Sequence, residues 1–185
     1  MPSASQSPVR NPPRIALCLA LCLAPAWSAT LERLSLADMI AKSTAIVRGQ
    51  VSGSSAVRRG SLICTDYRVH VLDQWKGAPQ STVTVSVPGG VLNGVRQSYA
   101  GAPEFTAGEQ YVLFLWTSSK GVTYTLGFTQ GVFHLPKDSH GDPIAVRDAT
   151  GETMLEPGTG RPVKDEPMRM PLAKLISLIR AGAPK

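Results

Sequence analysis

Residues 111–116 read YVLFLW, six apolar side chains in a row. A strand that buries one face alternates apolar with polar; a run apolar on both faces reads as a strand covered from both sides. The reading places 111–116 as the most buried strand of a sheet, with a turn at Ser118 to Gly121 behind it.

Working outward, the same period of two recurs. TAIVRGQVSG (44–53) is a β run, followed by a polar loop, SSAVRRG. In SLICTDYRVHVLDQW (61–75), Tyr67, Val69 and Val71 fall on one face and Arg68 and His70 on the other. STVTVSV (81–87) sets Val83, Val85 and Val87 together, and VTYTLGF, GVFHLP and PIAVRD give further short strands. Residues 148–170, rich in Gly, Pro and charge, read as a loop. Ser35 caps a short helix in SLADMIAKS. PLAKLISLIRAG closes the chain with a helical stripe of Leu172, Leu175, Ile176 and Ile179, expected to cover an open end of the fold. Seven or eight short strands, a helix at each end and no βαβ rhythm predict an all-β, antiparallel OB-like barrel or sandwich.

The glycine-rich stretch VPGGVLNG (87–94) raises the question of a ligand loop. Gly89 and Gly94 have the spacing of a phosphate loop, but Val95-Arg96 stand where Lys and Ser/Thr are required, and no helical period comes after them. Asn93-Gly94 is instead a two-residue hairpin signal, since both positions of a type I′ turn take positive φ. That turn sets Leu92 opposite Val95 and Val91 opposite Arg96, with Pro88-Gly89-Gly90 bending the strand. The stretch also supplies the one candidate binding set, Gly89, Gly90, Arg96 and Tyr99.

The first 28 residues read as a cleavable signal peptide. Arg10 and Arg14 precede the ten-residue apolar run Ile15–Ala24, and small residues lead to a cut after Ser28, with Ala26 as the alternative. Residues 29–185 read as one domain in the periplasm or outside the cell, with no membrane span after cleavage. Of the 19 Lys and Arg against 13 Asp and Glu, two arginines leave with the signal, and the rest are scattered. A nucleic-acid interface would need clustered basic residues with interleaved aromatics, so none is expected. Of three cysteines only Cys64 remains after cleavage; no internal disulfide can form, and Cys64 reads as a buried packer.

The sequence carries no catalytic motif and calls for no cofactor or metal. The nearest approach to a metal site is HLPKDSHGD, where His134, Asp138 and His140 offer donors of the right type; a metal-dependent hydrolase built on them is the alternative function. Glu104 and Glu109 flank a turn. Tyr99, Tyr111, Trp116 and Phe133 are either core or the lining of a ligand groove.

The segments STAIVRGQV, TDYRVHVLDQWKG, VPGG, GAPEFTAGEQYVLFL and GFTQGVFHL, over roughly residues 34–136, resemble a family of uncharacterised exported bacterial proteins. The layout is also similar to the netrin/metalloproteinase-inhibitor type of OB-like barrel. Inhibitors of that type depend on an N-terminal disulfide-bonded cysteine; here no cysteine stands near the start of the cleaved chain, so the resemblance implies the fold and not the inhibition. The expected function is that of an exported non-catalytic domain binding a protein or envelope component. A purely structural envelope role is a further alternative.

Overall fold

The computed structural model describes residues 30–182; the expected signal peptide lies outside the described residues. The described chain runs β1 (Thr30–Glu32), α1 (Leu36–Lys42), β2 (Ala45–Arg59), β3 (Leu62–Lys76), β4 (Thr82–Pro88), β5 (Gly90–Leu92), β6 (Val95–Gln97) and β7 (Gln110–Thr117). It continues through β8 (Thr123–Thr125), a 3-10 turn (Phe128–Gly131), β9 (Val132–His134), β10 (Ile144–Arg147), β11 (Thr153–Leu155), β12 (Pro162–Val163), β13 (Met168–Pro171) and α2 (Leu172–Gly182). The fold is mostly β. Its main sheet has the order β13-β10-β9-β7-β2-β3-β4-β8, and β8 also pairs with β7. All of these pairings are antiparallel except that of β4 with β8. β1, β11 and β12 form a small separate sheet in which β1 runs parallel to β11.

β7 divides two hydrophobic cores, as its sequence requires. Tyr111, Leu113 and Leu115 join Val47, Val69, Val83 and Val85 on one side. Val112 and Phe114 join Ile46, Phe133, Ala145 and residues of both helices on the other. All five of these β7 side chains are at most 1% exposed. The buried run stops at Leu115; Trp116, at the strand's end, is 44% exposed. The Tyr111 hydroxyl donates to Glu109 Oε2 at 2.9 Å and accepts from the Thr106 N–H at 3.1 Å, and burial pushes its pKa up. Glu109 is therefore a partner of the core tyrosine.

The helices obey their sequence signals. Ser35 Oγ accepts from the Asp38 N–H at 3.0 Å while Asp38 accepts from the Ser35 N–H, a complete capping box. The Ser35 hydroxyl, which donates to Asp38 Oδ2 at 2.5 Å, and then the Ser35 N–H hold the Asp38 carboxyl below its usual pKa. On α2, Leu172, Leu175 and Ile179 are buried. They pack with Met39 and Ile40 of α1 on the second face of the central strands, a correction to the expectation that this helix closes an open end.

Two other expectations need correction. Residues 54–59, read as a loop, extend β2, whose ladder with β3 runs on to Arg59 opposite Leu62 around the Gly60-Ser61 turn. None of residues 54–59 is buried, so no apolar alternation marks this end of the ribbon, and the ladder hydrogen bonds hold it extended. Residues 148–170 hold β11, β12 and part of β13, bringing the strands of the described chain to thirteen. Strands of two to four residues are too short to show a period, and two of the three pair with strands outside this stretch, β11 with β1 and β13 with β10, while β12 pairs with β11.

The same region contains a buried ion pair. Arg147 Nη2 donates to Asp165 Oδ1 at 2.9 Å and to the Glu166 carbonyl at 2.7 Å, and Asp165 Oδ2 accepts from the Thr150 N–H at 3.0 Å. The two side chains are 3% and 2% exposed.

Candidate functional site

The predicted hairpin forms in the predicted register: Leu92 faces Val95, Val91 faces Arg96, and Gly90 faces Gln97. Asn93 (φ 52°) and Gly94 (φ 77°) both take the left-handed region that the turn demands. Gly89 and Gly90 lie at φ 109° and 140°, where the chain leaves β4 and starts the ribbon. The ribbon is pinned to β3: Gly89 N–H donates to the Ile63 carbonyl (2.8 Å), Thr65 Oγ1 to the Gly89 carbonyl (2.8 Å), and Ile63 N–H to Gln97 Oε1 (2.6 Å). A Cβ on Gly90 would stand 2.6 Å from Thr65 Oγ1. The glycine pair thus has a structural task, closing a corner against β3.

Gly94→Val is accordingly expected to lower stability by about 1–2 kcal/mol through left-handed strain alone, since a Cβ there meets no neighbour. Asn93→Gly is expected to be nearly silent. Paired thermal melts check this; an unchanged midpoint for Gly94→Val would show that the ribbon tolerates another turn.

The four predicted binding residues do come together. Gly89, Gly90, Arg96 and Tyr99 line one cleft of about 200 Å³ with Thr65, Gln97 and Glu104. The cleft is small, and several of its polar groups are already bonded to one another.

Tyr99 also borders a far larger groove, of about 900 Å³. One wall comes from the β2–β3 hairpin and the end of β4, with Leu62, Cys64, Ser86 and Pro88. The facing wall comes from the β7–β8 hairpin, with Trp116, Lys120, Val122 and Tyr124. Trp116 and Tyr124 are cross-strand partners, and their rings stack with centroids 6.2 Å apart. Such a pair on an exposed sheet surface gives a broad, rigid apolar platform. Leu62, Tyr99 and Trp116 remain 41%, 39% and 44% exposed, an unusual concentration of large apolar side chains around one concavity.

The groove's third side is Leu31, Leu34 and the 3-10 turn. Gln130, buried in that turn, holds it to the strand β1: its Nε2 donates to the Glu32 carbonyl at 3.0 Å and its Oε1 accepts from the Leu34 N–H at 2.8 Å. Phe128, also in the lining, has φ 59°, rare for a residue with a Cβ; backbone strain of this kind gathers where a surface is shaped for contact. Around the rim, Lys42 pairs with Glu32 at 3.3 Å, and Arg59 pairs with Asp66 at 2.6 Å and donates to Ser86 Oγ. The carboxylate beside it raises the Arg59 pKa further. Lys120 forms no ion pair among the described residues.

The remaining candidates separate cleanly. Trp116 and Tyr99 line the groove, whereas Tyr111 and Phe133 are core. Cys64 is a buried free thiol, 3% exposed, in the groove wall. His134, Asp138 and His140 do not assemble into a metal centre. The Asp138 carboxylate accepts the N–H groups of His140 (2.8 Å) and Asp142 (3.0 Å), organising its own turn, and the His134 ring packs on Tyr111 at 5.2 Å. Among the described residues no group of three or more His, Cys, Asp or Glu side chains is arranged to hold a metal ion. Nor is any described helix long and apolar enough to cross a membrane.

Sequence reasoning missed Leu62, Lys120, Tyr124 and Phe128. The signal available was the pair of aromatics, Trp116 and Tyr124, on either side of the Ser118–Gly121 turn. Comparison with protein-family models, curated proteins and solved structures finds no match to the chain.

Proposed function

We propose that this protein is an exported, non-catalytic binding module, and that the groove between the β2–β3 and β7–β8 hairpins receives a protein or cell-envelope component. The observation that carries the reading is the groove itself. Its volume lies within the range of ligand sites, and its walls are mainly apolar and aromatic with a few placed polar groups. Export rests on the N-terminal sequence pattern.

The reading includes an OB-like barrel. Its support is the pairing sequence β7-β2-β3-β4-β8, which returns to β7 through the β7–β8 ladder, with one parallel pair, β4 with β8. OB-like barrels bind ligands across the face of their second and third strands, between the first–second and fourth–fifth loops. Counting β2 as the first strand and β8 as the fifth, those loops are the two hairpins that flank the groove.

The test is capture of envelope components by immobilised protein. Trp116→Ala is expected to lower capture at least about tenfold, the loss typical of a central aromatic anchor, while the melting temperature stays near wild type. Leu178→Ser, on the exposed side of α2, is the control and should bind normally. Equal capture by all three proteins would overturn the groove as the binding surface.

A further inference from the structure

We propose that the groove's occupant is a single-chain amphiphile with a carboxylate head, a long-chain fatty-acyl anion, lying with its tail along the aromatic wall and its head at Lys120. The inference deepens the groove reading and rests on it. Two observations select this chemistry.

The first is how three of the groove's polar side chains are already used. Gln130 is bonded at both ends of its amide, Ser86 Oγ accepts from Arg59, and Ser118 Oγ accepts from the Val122 N–H at 3.2 Å. An extended peptide would bring an N–H and a C=O with every residue, each needing a partner in a desolvated groove. A hydrocarbon tail brings none. It gains from contact with Leu62, Pro88, Trp116, Val122 and Tyr124 without asking the walls for hydrogen bonds.

The second is charge. Three cations line the groove against one carboxylate. Glu32 is matched by Lys42, and Arg59 is matched by Asp66 from outside the lining, so Lys120 remains as one uncompensated positive charge. One lysine beside an apolar trough complements one anionic head on one tail.

The experiment tracks the change in tryptophan fluorescence of the purified protein on adding octanoate, decanoate and dodecanoate, each below its micelle concentration, with dodecanol as the uncharged comparator. Affinity is expected to rise about fourfold per added methylene, the increment of hydrocarbon burial. Dodecanoate should bind several-fold more tightly than dodecanol at low salt. Lys120→Gln should remove that preference and leave dodecanol unchanged, and Trp116→Phe, read by calorimetry, should retain binding. Equal affinity for the acid and the alcohol, or a preference that survives Lys120→Gln, would overturn the anionic head while leaving an apolar groove. Absence of binding by either, with envelope capture still sensitive to Trp116→Ala, would overturn the amphiphile and keep the binding module. Absence of binding together with capture indifferent to Trp116 would bring down both.

Discussion

Asp165→Ala is expected to destabilise the protein by about 3–5 kcal/mol, the cost of leaving one member of a buried ion pair without its partner. The reason lies in how little else surrounds Arg147. Its side chain is 3% exposed, and only Nη2 is bonded, to Asp165 and to the Glu166 carbonyl. Nε and Nη1 are buried without a protein partner, so the neutral Glu166 carbonyl alone remains on the guanidinium when the carboxylate goes. The Thr150 N–H loses its acceptor in the same stroke. Asp165 also ties the segment before β13 to β10, so the local loss should spread to the β10–β13 ladder. Denaturant unfolding monitored by circular dichroism gives the number. Arg147→Met combined with Asp165→Leu should recover most of the loss, because an apolar pair of similar volume needs no compensation. A single Asp165→Ala variant within about 1 kcal/mol of wild type would show that the pair is solvated in solution, where such pairs contribute little.

Phe114→Ala is expected to cost a similar amount, about 3–5 kcal/mol, by a different route. Phe114 is fully buried, in the middle of the second core, with the Phe133 ring 5.7 Å away. It sits beneath both helices, and rigid strands on either side of β7 leave the hole little means to collapse. Trp116→Ala, two residues along and on the same side of the strand, should change stability by less than about 1 kcal/mol, since that ring is 44% exposed and lies in the open groove. Calorimetric melts of the two variants side by side make the comparison. Equal losses would mean that the groove wall belongs to the core after all.

That contrast also marks what could be read from the sequence. YVLFLW announces a strand covered on both faces, and the two cores divided by β7 are the result. Asn93-Gly94 announces its own turn and, through it, the pairing of Leu92 with Val95, because positive φ is a backbone demand that residue type exposes. Cys64 and the Ser35 cap are legible for equally local reasons. The apolar run of 111–116 continues through Trp116 without a break, however, and nothing in it says that the strand outlasts its cover there. Trp116 and Phe133 look alike as letters; one faces open space because β7 and β8 pair beyond the end of the second core. The extension of β2 to Arg59 and the strands within 148–170 were hidden because their partners, not their own patterns, make them strands. The groove is hidden in the same way, assembled from hairpins, a turn and the first strand, which no local window contains.

The pairing of β1 with β11 sets a timetable for the chain. Thr30–Glu32 lies in parallel register with Thr153–Leu155, and α1 packs against α2, the last described element. β1 and α1 therefore wait for β11 and α2 before their partners arrive, and closing so long a loop is slow. Until then Leu31 has no sheet partner to lean on, and only the turn of residues 128–131 supports the groove's third side. A chain that folds from its amino end would complete the β1 side of the groove only after β11 is available. Loss of α2 to a protease would, by the same wiring, uncover α1, more than a hundred residues before it in sequence.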